Sequence, residues 1–148
     1  MTQTIDSRGN QAPAPERWTS ALAQVLAGWN RAAATWDVDA LTAMYTEDVL
    51  MYGGRPWHSV GHAGLRDYFQ SYAGMMKTCH LELTEQTIIE LAPDTLLAQG
   101  LGLFRFGLAD GRSTGATMRT TWVLAGWQER PLIRQHHFSN IPDKPPTE

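Results

Sequence analysis

Residues 96–125, LLAQGLGLFRFGLADGRSTGATMRTTWVLA, decide the fold. Asp110-Gly111 is a hairpin dipeptide, because the tight turn joining antiparallel strands needs residues that tolerate positive φ. The runs on either side, Leu96–Leu108 and Thr114–Ala125, are long and rich in apolar and β-branched residues, so they read as two paired strands. Gly100 and Gly102 within the first run predict a bulge or a sharp bend there. Upstream, Leu81 and Leu83 alternate with Glu82 and Thr84, and the strand continues through Ile88, Ile89 and Leu91 to a turn at Pro93-Asp94. Downstream, a turn over residues 126–131 leads to a last strand, Leu132–Ser139. These are four antiparallel strands in a meander.

Before Met76 the apolar period is that of a helix. Trp18, Leu22, Val25, Leu26 and Trp29 lie on one face of a helix over residues 16–34. Asp37 reads as the N-cap of a short second helix carrying Val38, Leu41, Met44 and Tyr45, ended by Glu47-Asp48. Val49–Tyr52 is a short strand stopped by Gly53-Gly54. A third helix begins at Gly61 and carries Leu65, Tyr68, Phe69 and Tyr72. Residues 1–15 read as a flexible leader, 16–141 as a single domain and 142–148 as a proline-rich tail. Helices first and hairpin-joined strands later make an α+β domain: a strongly bent antiparallel sheet wrapped on N-terminal helices, a cone whose interior can take a ligand.

Composition bounds the function. The chain has 148 residues, 43% hydrophobic and 18% charged, the range of one ordinary globular domain. A net charge of −3 argues against nucleic acid, which needs a clustered cationic surface. The single cysteine, Cys79, excludes an internal disulfide and a cysteine-based zinc cluster. No apolar run approaches the length of a membrane helix, and the N-terminus lacks the charged start and apolar stretch of a secretory signal. A bacterial, cytoplasmic protein with no membrane partner is the expectation. Six Trp among the aromatics and ten Arg against two Lys raise the question of whether a few of them line a cavity.

Trp29-Asn-Arg, Asp39-Ala-Leu, Tyr45-Thr-Glu-Asp48-Val, Gly61 before the third helix, Arg119-Thr-Thr-Trp122 and His136-His-Phe-Ser139 with Pro142 occur in this order. Together they resemble the nuclear transport factor 2-like superfamily, most of all its SnoaL-like branch and the association domain of calcium/calmodulin-dependent protein kinase II. The resemblance spans residues 18–142 and implies a cone-shaped α+β fold that dimerises through its sheet. It also implies that the strand face bearing Ile133, Gln135, His137 and Ser139 is interior, opposite Leu132, Arg134, His136 and Phe138, and that His80 matches a histidine of the kinase domain. The superfamily holds isomerases, cyclases, dehydratases, binding domains and oligomerisation hubs, so only the site can decide between them.

His137 is the candidate acid/base, its ordinary pKa lying near neutrality, against the alternative of a structural histidine. Arg119 is its candidate partner for a carboxylate or developing negative charge. Whether Arg119 faces the interior or a dimer interface stays open. Tyr45, Tyr52 and Trp57 offer flat apolar surface with polar tips. Tyr72, His80, Gln99, Thr121, Trp122 and Ser139 complete the expected lining. Asp48 is a weaker candidate base, since a carboxylate after a helix is more often a turn group. Ketosteroid-isomerase chemistry is disfavoured because Met51-Tyr52-Gly53-Gly54 holds no carboxylate. His58 and His62 are four apart but span Val60-Gly61, a poor helix, so no metal site is expected. No phosphate loop or nucleophile elbow is present, and no cofactor is implied. The expected function is binding of a small hydrophobic or carbonyl-bearing molecule; the alternatives are a cofactor-independent acid/base enzyme using His137, and an oligomerisation module. A homodimer is expected because Phe104, Phe106 and Trp122 or Trp127 would otherwise leave an apolar patch on the sheet.

Overall fold

The computed structural model describes residues 13–148. The expected leader falls outside them except for its last three residues, where helix α1 (Ala14–Ala33) already begins, with Pro15 in its first turn. Leu22, Val25 and Trp29 are buried on the face the spacing predicts, while Trp18 and Leu26 are partly buried at its margin. Asp37 caps helix α2 (Val38–Thr42) by accepting the amide of Ala40 at 3.0 Å.

That helix ends earlier than its apolar spacing implies. Tyr45 is the first residue of strand β1 (Tyr45–Tyr52), and Glu47 and Asp48 lie within the strand. Tertiary pairing overrides the local pattern here: Tyr45 pairs with Ile133 of the last strand, whose amide bonds to the Met44 carbonyl at 3.0 Å. Asp48 is therefore no helix-end group. It is exposed, and Arg134 reaches it at 3.0 Å. A two-residue strand β2 (Ser59–Val60) precedes helix α3 (Gly61–Gln70), in which Leu65, Tyr68 and Phe69 are buried.

Strands β3 (Met76–Ala92), β4 (Thr95–Leu108), β5 (Ser113–Ala125) and β6 (Leu132–Asn140) form the expected antiparallel meander. The full sheet runs β2-β1-β6-β5-β4-β3 and is mixed, because β1 pairs with β6 in parallel. It is not closed, leaving β3 as a long edge. Asn30 of α1 blunts that edge: its side chain donates to the Leu81 carbonyl at 2.9 Å and accepts the Leu81 amide at 2.8 Å.

Two irregularities set the shape. The predicted bulge near Gly100 lies on the neighbouring strand, because β4 runs against β5 without a break, while β3 slips between Thr84 and Thr87, with Glu85 at φ 53°. Gly100 makes room for it. A Cβ there would lie 2.6 Å from the Glu85 carbonyl oxygen and 2.8 Å from that of Thr84. The second bulge is in β6. Val123 pairs with Gln135 but Leu124 pairs with Ile133, so Arg134 is an extra residue. Strict alternation breaks at that point, and the inward side chains become Ile133, His136 and Phe138. His137 is exposed on the outer face, which reverses the interior face implied by the resemblance.

The core lies between the helices and the inner sheet face. Phe104, Trp122 and Trp127 belong to it, each under 7% exposed (3%, 2% and 6%), and Phe106 is partly buried against it. These rings therefore do not form the exposed patch from which a homodimer was expected. The outer face carries Leu97, Leu101, Leu103 and Val123, half-buried, with Ile89 and Leu91 exposed near the β3 end. No helix among the described residues is long and apolar enough to cross a membrane.

Candidate functional site

Helices α1 and α3 and the inner face of the sheet enclose a cavity of about 270 Å³. Its wall is aromatic and sulfur-rich: Trp29 and Trp36 from the α1 side, Tyr68, Phe69 and Tyr72 around α3, Phe104, Phe106 and Phe138 from the sheet, and Met51, Met75, Met76 and Met118 between them. Unbranched, polarizable methionine side chains let such a wall adapt to an irregular occupant. Of the lining residues, Gly54, Met75 and Thr114 are exposed and mark the mouth.

One polar chain runs through this apolar surround. Trp29 Nε1 donates to Tyr45 Oη at 2.9 Å, and Tyr45 Oη lies 3.0 Å from His136 Nδ1. An indole can only donate, so the Tyr45 oxygen accepts from it and the phenol proton is available for His136 Nδ1. In the opposite tautomer the Tyr45 proton would have no acceptor among the described residues. The consistent assignment places the imidazole proton on Nε2. That nitrogen is buried and has no hydrogen-bond partner among the described residues.

Burial sets the charge as well. Loss of solvent, with a smaller contribution from the neighbouring His137, pushes the His136 pKa down to about 3. The ring is therefore neutral near pH 7. Desolvation also raises the Tyr45 phenol far above its ordinary value and pushes the Cys79 thiol up to about 12, so Cys79 is a small wall group and no thiolate. His136 thus enters the cavity wall as a neutral ring in largely hydrophobic surroundings, beside the hydroxyls of Tyr68, Tyr72 and Thr114. No carboxylate lines it among the described residues.

The residues expected at the site divide between the two sides of the sheet. Tyr45 and Tyr72 line the cavity. Trp122 is buried behind it, edge-on to His136 at 5.4 Å between centroids. Tyr52 and Trp57 are exposed outside the cavity, at 45% and 46%. Tyr52 stacks on His58 at 4.5 Å and leans on His137 at 5.7 Å. Gln99, Arg119, Thr121, His137 and Ser139 share a shallow polar groove on the outer face. There Gln99 donates to Thr121 at 2.9 Å and Arg119 to Ser139 at 3.2 Å. The open question about Arg119 is answered by this placement, since Thr120 and Trp122 take the inner side of β5. His80 lies in a third cleft beside Asn30 and Arg105 and does not line the cavity.

His136, Trp29 and Tyr68 are the cavity groups that sequence reading missed. The Arg134 bulge hid His136, since one extra residue exchanges the faces of everything beyond it. His62 is taken up by the Tyr45 carbonyl at 2.8 Å, and among the described residues no cluster of three or more His, Cys, Asp or Glu side chains could hold a metal.

Known proteins place this architecture. A candidate calcium/calmodulin-dependent protein kinase II association domain from Xanthomonas campestris superposes with a TM-score of 0.74 at 21% identity, covering 97% of this chain and 99% of that one. A candidate scytalone dehydratase from Novosphingobium aromaticivorans gives 0.75 at 7% identity, covering 86% and 87%. A nuclear transport factor 2-like superfamily protein from Salmonella enterica serovar Typhimurium gives 0.71 at 15% identity, covering 91% and 99%. Such identities speak to the fold alone, which is that of the nuclear transport factor 2-like superfamily. No curated protein matches the sequence. The SnoaL-like domain family matches residues 22–144, nearly the whole described fold, and the chain belongs to that family.

Proposed function

We propose that this protein binds a small, mostly hydrophobic, carbonyl-bearing molecule in the cavity, with His136 Nε2–H donating to the carbonyl oxygen. The observation that carries the reading is the His136 nitrogen, unpartnered among the described residues, on a ring that lines a mostly apolar wall. A buried donor without a partner loses one to three kcal/mol, roughly, which a ligand acceptor restores. The volume of about 270 Å³ accommodates some nine water-sized groups at ~30 Å³ each, the size of a single substituted ring.

Acid/base catalysis in this cavity would depend on His136 and not on His137, which lies on the other face. With its pKa near 3, His136 is a poor proton acceptor at neutral pH but a good neutral donor to a developing oxyanion. The geometry therefore favours binding and polarisation of a carbonyl over proton abstraction.

Acetophenone and ethylbenzene, which keeps the ring and two-carbon side chain but lacks the carbonyl oxygen, test the reading. Titrations followed by the fluorescence of Trp29 and Trp36 should show acetophenone binding roughly threefold to tenfold more tightly, the worth of one neutral hydrogen bond. His136→Phe should abolish that preference and leave ethylbenzene binding. Failure of both probes to bind, or an undiminished preference in the variant, refutes the reading.

A further inference from the structure

Arg55 follows Gly54 at the mouth of the cavity, and it is held rigidly there. Its Nε donates to Ser71 Oγ at 3.0 Å and its Nη2 to the Ser71 carbonyl at 2.9 Å. The guanidinium carbon lies 4.1 Å from the ring centroid of Tyr72, a cavity wall residue, and 5.8 Å from that of Trp57. These contacts occupy one side edge of the guanidinium and stack its plane against aromatic rings. The end-on edge, formed by Nη1 and the second Nη2 proton, has no partner among the described residues, and no carboxylate lies within salt-bridge distance of the charge. The cation is nonetheless half-buried. Its field reaches into the cavity: burial raises the Tyr68 phenol, and the Arg55 charge is one of the influences drawing it back.

A guanidinium fork takes a carboxylate in two parallel hydrogen bonds, and one already immobilised by stacking loses little freedom in doing so. We infer that the molecule held in the cavity is a hydrophobic carboxylic acid, its body among the aromatic and methionine side chains and its carboxylate on the end-on edge of Arg55. This rests on the reading of the cavity as a ligand site and adds the charge and orientation of the ligand. With His136 at the wall and Arg55 at the mouth, the class that uses both is a small oxo acid carrying an aryl or branched alkyl group.

The experiment compares 3-phenylpropionate with its uncharged primary amide, by tryptophan fluorescence and calorimetry, on the full chain and on the variants Arg55→Met and Arg55→Lys. The acid should bind roughly tenfold to a hundredfold more tightly than the amide, as expected for a charge-assisted pair. Arg55→Met should remove that preference, costing the acid roughly tenfold or more in affinity beyond any loss the amide shows, and Arg55→Lys should retain part of it, since the charge remains without the fork. Equal binding of acid and amide to the unaltered chain, or a preference that survives Arg55→Met, overturns the inference and leaves the cavity reading standing. Equal losses for acid and amide in Arg55→Met also overturn it, because Arg55 then only fastens the loop to Ser71. If neither probe binds, the cavity reading falls and this inference falls with it.

Discussion

Lowering the pH from 7 to 5 should destabilise this protein through a single buried ring. His136 has an ordinary pKa of 6.5 when unfolded and about 3 in the fold, with desolvation as the main cause. A base whose folded pKa is depressed contributes stability above its unfolded pKa, where both states are neutral. That contribution disappears as the pH falls from 6.5 towards 3, because the unfolded chain takes up a proton that the folded chain refuses. At pH 5 the unfolded histidine is almost fully charged, and the linkage integral, RT ln(1 + 10^1.5), comes to about 2 kcal/mol. Urea titrations at pH 7, 6 and 5 on the unaltered chain and on His136→Phe and His136→Gln should show the unaltered chain losing about 2 kcal/mol more than either variant over this interval. The slope is the measured quantity, so any loss of stability common to all pH values does not enter. Nitrogen chemical shifts of the ring give a second readout: Nε2 should carry the proton, and no titration should occur between pH 7 and 5. Equal pH slopes in all three proteins, or an imidazole that titrates near 6.5, would refute the account of His136 as a buried neutral donor.

Further consequences follow from other contacts. Tyr45→Phe removes the hydroxyl between Trp29 and His136 and leaves both buried nitrogens unpaired, so it should lower stability by about 1–3 kcal/mol in urea unfolding despite being nearly isosteric. Asn30→Ala frees the amide and carbonyl of Leu81 on the edge strand; a loss of about 1–3 kcal/mol is expected, with faster hydrogen exchange at the Leu81 amide. Gly100→Ala drives a methyl group into the backbone of the β3 bulge and should lower stability by roughly 1–3 kcal/mol, read as a drop in Tm. If the outer sheet face joins two copies, as the Leu97, Leu101 and Val123 surface would allow, sedimentation velocity should show a dimer that Leu101→Glu converts to monomer.

Most of the frame was legible because its signals are local. The Asp110-Gly111 turn, the Pro93-Asp94 turn, the Asp37 cap and the change of apolar period after Met76 each act within a few residues, and all stand in the structure. Tyr45 shows where local reading stops. Its spacing from Leu41 and Met44 suits a helix, yet its partner is Ile133, 88 residues away, and no local pattern encodes that pairing. Tyr72 lies in the turn just past the end of α3, although its apolar spacing suits the helix itself, and the position of Arg55 comes from stacking on Tyr72 and bonding to Ser71 across a loop, which no local pattern encodes.

The sequence by itself determined the class of the protein: one α+β domain, helices followed by a four-strand meander, with an interior large enough for a ligand. Tertiary structure alone decided which residues face that interior. An inserted residue is visible only against the strand opposite it, and Arg134 opposes nothing in β5. Because side chains alternate with a period of two, that one unpaired residue carried His137, Arg119's neighbour Ser139 and Gln135 to the outside and brought His136 to the wall.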